Sequence, residues 1–149
     1  MDAQRSFGRG PRQHRSLGRG CSPAQSVRPL VLDVLDEATW PTETVHAVVC
    51  INMIHISPWS ATLGLLRLAG ERLIQPGGLL VLYGPFVEAD RPLAPSNAAF
   101  DDSLKARNPD WGLRNLDIVG EAARTEGLRL TLRREMPANN LMLLFRRVS

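Results

Sequence analysis

The feature that most constrains this chain is a pair of apolar runs of strand length, set on either side of a segment with helical spacing. TVHAVVCI, residues 44–51, is continuous, apolar and rich in β-branched residues, the pattern of a strand buried on both faces. Ser57-Pro58 then opens a helix, with Ser57 expected as N-cap and Pro58 at the first helical position. Leu63, Leu66, Leu73 and Ile74 form an apolar stripe through ATLGLLRLAGERLI, and Gln75-Pro76-Gly77-Gly78 ends it. LLVLYGPF, residues 79–86, follows as a second buried strand. Strand, helix of about 17 residues, strand is a right-handed parallel crossover.

The flanking sequence extends this unit. RPLVLDVLD suggests a short strand, Leu30 to Leu32, running into Asp33, Asp36 and Glu37. Residues 87–113, interrupted by Pro92, Pro95, Asn97, Pro109 and Gly112, are expected to form a long loop, and loops of that length inside domains tend to be functional. Leu116 to Glu126 is expected to be a helix, with Asn115 as cap and Gly127 as its stop. LRLTLRREM, 128–136, alternates like a half-exposed strand, and LMLLFRRV, 141–148, is joined to it by the PANN link at 137–140. The fold expected is α/β, a parallel Rossmann-like sheet with a terminal antiparallel hairpin.

Charge separates the chain into two parts. The first 28 residues hold six arginines against Asp2 alone, so the sequence pI of about 9.5 comes from this segment, and the remainder is slightly acidic. The expected organisation is a disordered Arg/Gly-rich leader at 1–28 and a partial domain at 29–149. The leader is passive, or a transit segment, or a weak RNA-binding arm. Its Gly8-Arg9-Gly10 and Gly18-Arg19-Gly20 lack the preceding strand that a phosphate-cradling turn requires. With no amphipathic stripe and Phe7 as the leader's one aromatic to stack on a base, nucleic acid is not the expected partner. No apolar run approaches the ~20 residues of a membrane helix, so no membrane association is expected, and the cytoplasm is the preferred location. Cys21 and Cys50 have no metal-ligand spacing and are expected to be free thiols. No metal set and no hydrolase elbow is found.

The residues CINMIHISPW, LYGPF, SNAAFDDSLKARNPDWGLRN and MPANNL resemble the methyltransferase-like 26 proteins, and the order of elements resembles the second half of class I S-adenosylmethionine-dependent methyltransferases. The resemblance covers residues 29–149. It implies S-adenosylmethionine as cofactor and a small-molecule or protein acceptor. Methyltransferases of this class hold the cofactor with a Gly-rich turn after the first strand and an acidic residue after the second, and neither is found here. The resemblance therefore implies a truncated isoform, weakly active or inactive, whose cofactor binding is in doubt.

In open parallel sheets, ligands sit beyond the carboxyl ends of the strands. Asn52 and His55 fall just past one such end, Tyr83 at the next, and Asn139-Asn140 on the same rim. The functional reading makes Asn52, with Met53 and the main chain around it, a wall beside the cofactor, His55 a general base or orienter, and Tyr83 a substrate contact. The plainer reading has Asn52 and His55 satisfying loop backbone and Tyr83 bonded to main chain. Asp33 either accepts from the adenine amine, as the resemblance implies, or begins a turn with Asp36. Asn97, Arg114, Asn139 and Asn140 are candidates for substrate binding, Arg114 because its guanidinium suits carboxylate or phosphate. In the same loop, Trp111 is expected to pack down and Arg107 to pair with Asp101 or Asp102. The alternatives to an enzyme are a fragment that contacts a partner through an exposed sheet edge, and the weakly RNA-binding arm.

Overall fold

The crossover is present. A computed structural model describes residues 29–73 and 76–148; the leader at 1–28, with Cys21, and Ile74 of the expected stripe lie outside the described residues. β1 (Ala47–Ile51) and β2 (Leu79–Gly84) run parallel, in register from Ala47 opposite Leu79 to Ile51 opposite Tyr83, and α1 (Trp59–Arg72) connects them. The helix is shorter than its sequence pattern suggests. Pro58 occupies the cap position, and Ser57, expected as the cap, instead donates its hydroxyl to the Met53 carbonyl at 2.8 Å. Leu66 is fully buried, whereas Leu63 is exposed, because Ala61, Leu65 and Leu68 form the inward side.

After β2 come β3 (Phe86–Val87), α2 (Pro95–Arg107), β4 (Arg114–Asn115), α3 (Leu116–Thr125), β5 (Leu128–Met136) and β6 (Asn140–Arg147). The main sheet has the order β1-β2-β6-β5. β6 lies antiparallel to both its neighbours, so the terminal hairpin inserts its last strand between β2 and β5. β3 and β4 form a separate short parallel pair. Asn115 caps α3 as anticipated, its Oδ1 accepting from the N–H groups of Asp117 and Ile118.

Three expectations are corrected. Leu30 to Leu32 form no strand: Val31 is 93% exposed, and a three-residue strand without a neighbour leaves its backbone groups unpaired. The segment 87–113 is not one loop but contains α2, with Pro95 in its first turn, where proline's missing N–H costs little. TVHAVVCI is buried on one face only. Cys50, Leu80, Leu82, Leu141, Leu143 and Phe145 meet Leu65, Leu66 and Ala69 of α1 and Val119 and Ala123 of α3 on that face. Each fully buried large side chain there stabilises the fold by about 2 kcal/mol. The opposite face gives nothing to this core, and Val49 and Ile51 remain 63% and 62% exposed.

Candidate functional site at the strand ends

Just past β1, Asn52 turns into the left-handed region at φ 59°. Its N–H donates to the Tyr83 carbonyl at 2.9 Å, tying the ends of β1 and β2 together. The chain then folds back through a short 3-10 turn, Met53–His55. Gly84 has φ 153°, and a Cβ on it would lie 2.5 Å from His55 Nε2 and 2.8 Å from Asn52 Oδ1. Only glycine leaves room for both side chains over the end of β2. Gly84 was missed in the sequence; its signal was a glycine immediately beyond an apolar run.

His55 is 1% exposed, and neither ring nitrogen has a hydrogen-bond partner among the described residues. Its ring meets Phe86 edge-on, with centroids 5.1 Å apart. Burial, reinforced by the nearby Arg114 charge, pushes its pKa down to about 4. The ring is therefore neutral at pH 7.

Tyr83 and Asn140 meet on the other face of the sheet at the same end, with Asn140 Nδ2 3.4 Å from the phenolic oxygen. The phenol thus has a side-chain partner rather than the main-chain partner foreseen for it. Asn97 is buried and donates to the Asn139 carbonyl at 3.0 Å, while Asn139 Nδ2 reaches Ser96 Oγ at 3.1 Å. The hairpin turn places Ala138 and Asn139 in the left-handed region. A cavity of about 200 Å³ opens beside the hairpin turn on the side of Phe86 and Leu141, bounded also by Asn97, Asn139 and Asn140, and Tyr83 is not part of its wall. Its charged wall is neutral in sum: Arg133 grips Glu88 through two bonds of 2.7 and 2.6 Å, and Glu135 bridges Arg133 and Arg91. Glu88 and Arg133 lie 45 residues apart, so no local pattern announced them.

Arg114, a candidate for substrate binding, is engaged by main chain. Its guanidinium donates to the carbonyls of Ile54, Ser57 and Asp110 and lies over the Trp59 ring, 5.8 Å from the centroid. It pins the β1–α1 turn to the 110–114 segment. Arg107, expected to pair with a carboxylate, lies over Trp111 instead, and Asp101 is taken by Lys105 and the Leu113 N–H. Asp33 accepts from Leu35 N–H at 2.9 Å, and its carbonyl from Trp40 Nε1, while Asp36 caps a 3-10 turn at Glu37–Thr39. Asp33 thus follows the turn alternative.

This architecture is that of the class I methyltransferase fold, and solved structures of that class match it. A protein described as an O-methyltransferase family protein from Burkholderia thailandensis is 18% identical, with a TM-score of 0.66 over 79% of this chain and 35% of that one. TnmH is 22% identical, at 0.61 over 76% and 33%. Human N-acetylserotonin methyltransferase, in complex with SAM, is 14% identical, at 0.65 over 78% and 32%. The chain therefore spans about a third of the length of these proteins. It belongs to the family described as "Protein of unknown function (DUF938)", whose model matches residues 15–147.

S-adenosylmethionine is the cofactor expected for such a fold, and the residues present do not fit a complete site for it. The groove beside β1, about 870 Å³, is lined mainly by apolar side chains such as Val48, Met53, Leu65 and Leu68. Asp33 is its one carboxylate, and that carboxylate caps a turn. A ribose diol and a charged amino-acid moiety need more acceptors than this. Among the described residues, no group of His, Cys, Asp or Glu could hold a metal ion, and no helix is long and apolar enough to cross a membrane. Cys50 is buried and unpaired.

Proposed function

We propose that this chain is the acceptor-side portion of an S-adenosylmethionine-dependent methyltransferase of the methyltransferase-like 26 group, acting on a small-molecule or protein acceptor. The observation that supports the reading is that Asn52 and His55 stand over Gly84 at the carboxyl end of β2 while Tyr83 meets Asn140 at the same end on the opposite face, the end at which open α/β sheets bind ligands. Asn52 and Met53 stand beside the cofactor as one wall. Asn140, Asn97 and Asn139 line the cavity that takes the acceptor, and Tyr83 holds the Asn140 amide from the opposite face of the sheet. His55, neutral and enclosed, acts through its packing over Gly84 and Phe86. Asp33 and Arg114 hold loops and take no part in binding.

With one wall only, the chain alone holds the cofactor weakly and is weakly active or inactive. Residues 1–28 are a leader to the domain at 29–149, and the cytosol is the site of action. Equilibrium dialysis with labelled S-adenosylmethionine tests the reading, comparing the chain with Asn52→Gly, which keeps the left-handed backbone and removes the amide. We expect millimolar retention by the former and a severalfold loss in the latter. Equal retention, or none by either, rejects the reading.

A further inference from the structure

The cavity beside the hairpin turn has a charged wall that is already satisfied and an amide that is not. Arg133 gives Nε and Nη2 to Glu88 and Nη1 to Glu135, and Arg91 gives Nη1 to Glu135. Two guanidiniums and two carboxylates therefore cancel. An anion entering this space competes with Glu88 and Glu135 for the same N–H groups. Arg114, the side chain suited to carboxylate or phosphate, is outside the wall.

Asn97, near the start of α2, is 8% exposed. Its Nδ2 donates to the Asn139 carbonyl at 3.0 Å, and because a carbonyl only accepts, that bond fixes which end of the amide is the oxygen. Asn97 Oδ1 accepts no hydrogen bond from the described residues. Nor is it sealed: the sealed, unpartnered side-chain atoms among the described residues belong to His55 and Thr62. The oxygen therefore opens on the space that Asn97 lines, which is the cavity. A mostly buried acceptor without a donor forgoes hydrogen-bonding free energy that a ligand O–H or N–H restores. Phe86, Leu93 and Leu141 make part of the wall apolar. At about 200 Å³, the space exceeds the ~150 Å³ that holds benzene and falls below the ~300 Å³ at which pockets for drug-sized ligands begin. It suits one ring.

We propose that the cavity takes an uncharged one-ring compound whose hydroxyl or amino group donates to Asn97 Oδ1. On the methyltransferase reading above, on which the role of the ligand rests, that compound is the methyl acceptor and Asn97 selects it.

NMR titrations of the full chain with phenol, cyclohexanol, fluorobenzene and benzoate, made without cofactor, provide the test. Phenol or cyclohexanol should saturate and shift the Asn97 side-chain amide. Binding should be at least about tenfold tighter than that of fluorobenzene, because an isostere without a donor leaves the amide oxygen unpaired. The tighter of the two alcohols tells a flat ring from a puckered one, and benzoate should not compete. Asn97→Leu should bind phenol and fluorobenzene alike, its fluorobenzene binding showing that the cavity has formed. Fluorobenzene as tight as both alcohols, preferred binding of benzoate, shifts remote from residue 97, an undiminished phenol preference in Asn97→Leu, or no saturation at millimolar ligand would each overturn the inference. Dialysis with S-adenosylmethionine separates this failure from that of the reading. Alcohol binding without cofactor retention leaves the ligand class standing and rejects the methyltransferase role, whereas cofactor retention without an alcohol preference does the reverse.

Discussion

At the scale of single residues, the strand-end site is defined by close approach. Gly84 gives up a side chain so that His55 and Asn52 can both sit over the end of β2. Gly84→Ala should therefore destabilise the fold by about 2 kcal/mol, from steric overlap and an unfavourable φ, measured as a shift of the urea midpoint. His55 carries a pH signature. Its folded pKa of about 4 lies below its ordinary 6.5, so the unfolded chain takes up the proton first as pH falls. The stability contributed by the neutral ring is fully present above pH 6.5 and is lost as pH drops towards 4, by about 3 kcal/mol in total. His55→Phe should lose this component. Urea unfolding of both proteins between pH 7 and pH 4 should show wild type falling relative to the variant, and parallel curves would contradict the assignment.

At the scale of elements, Arg114 and Asn115 hold neighbouring pieces in place. Arg114→Met removes three bonds to carbonyls. It should cost about 2 kcal/mol and raise amide hydrogen exchange around residues 53–57 well before the main sheet is affected. Asn115→Ala should cost about 1 kcal/mol by removing the cap of α3. These elements differ in how visible they were in the sequence. The crossover, the cap at Asn115 and the hairpin were legible because each rests on local chemistry: apolar runs, a capping amide and a turn between alternating strands. α2 was not. It buries only Asn97 and Leu104, so it lacks an apolar stripe, and its prolines suggested a loop although one of them opens the helix. Leu30 to Leu32 had strand composition, but pairing is a tertiary property that composition does not supply.

At the scale of the molecule, the sheet is finished on one side only. Both crossover helices pack on one face, and the run in β1 that suggests burial on both sides meets a core on one. The sequence indicated that Asn52, His55, Tyr83 and Asn139 gather at one end, because strand direction alone fixes that. It did not indicate that the sheet plane divides them, with His55 over Gly84 and Tyr83 with Asn140 on the opposite face. Nor did it show that Arg114 is consumed by main-chain carbonyls, since those partners lie up to 60 residues away. The account stands on that end of the sheet being where a ligand meets the chain. Amide chemical-shift mapping during titration with S-adenosylhomocysteine addresses it directly. The account predicts perturbations concentrated at residues 52–56, 83–86 and 139–141, whereas shifts confined to the far end of the sheet, or none at millimolar ligand, would contradict it.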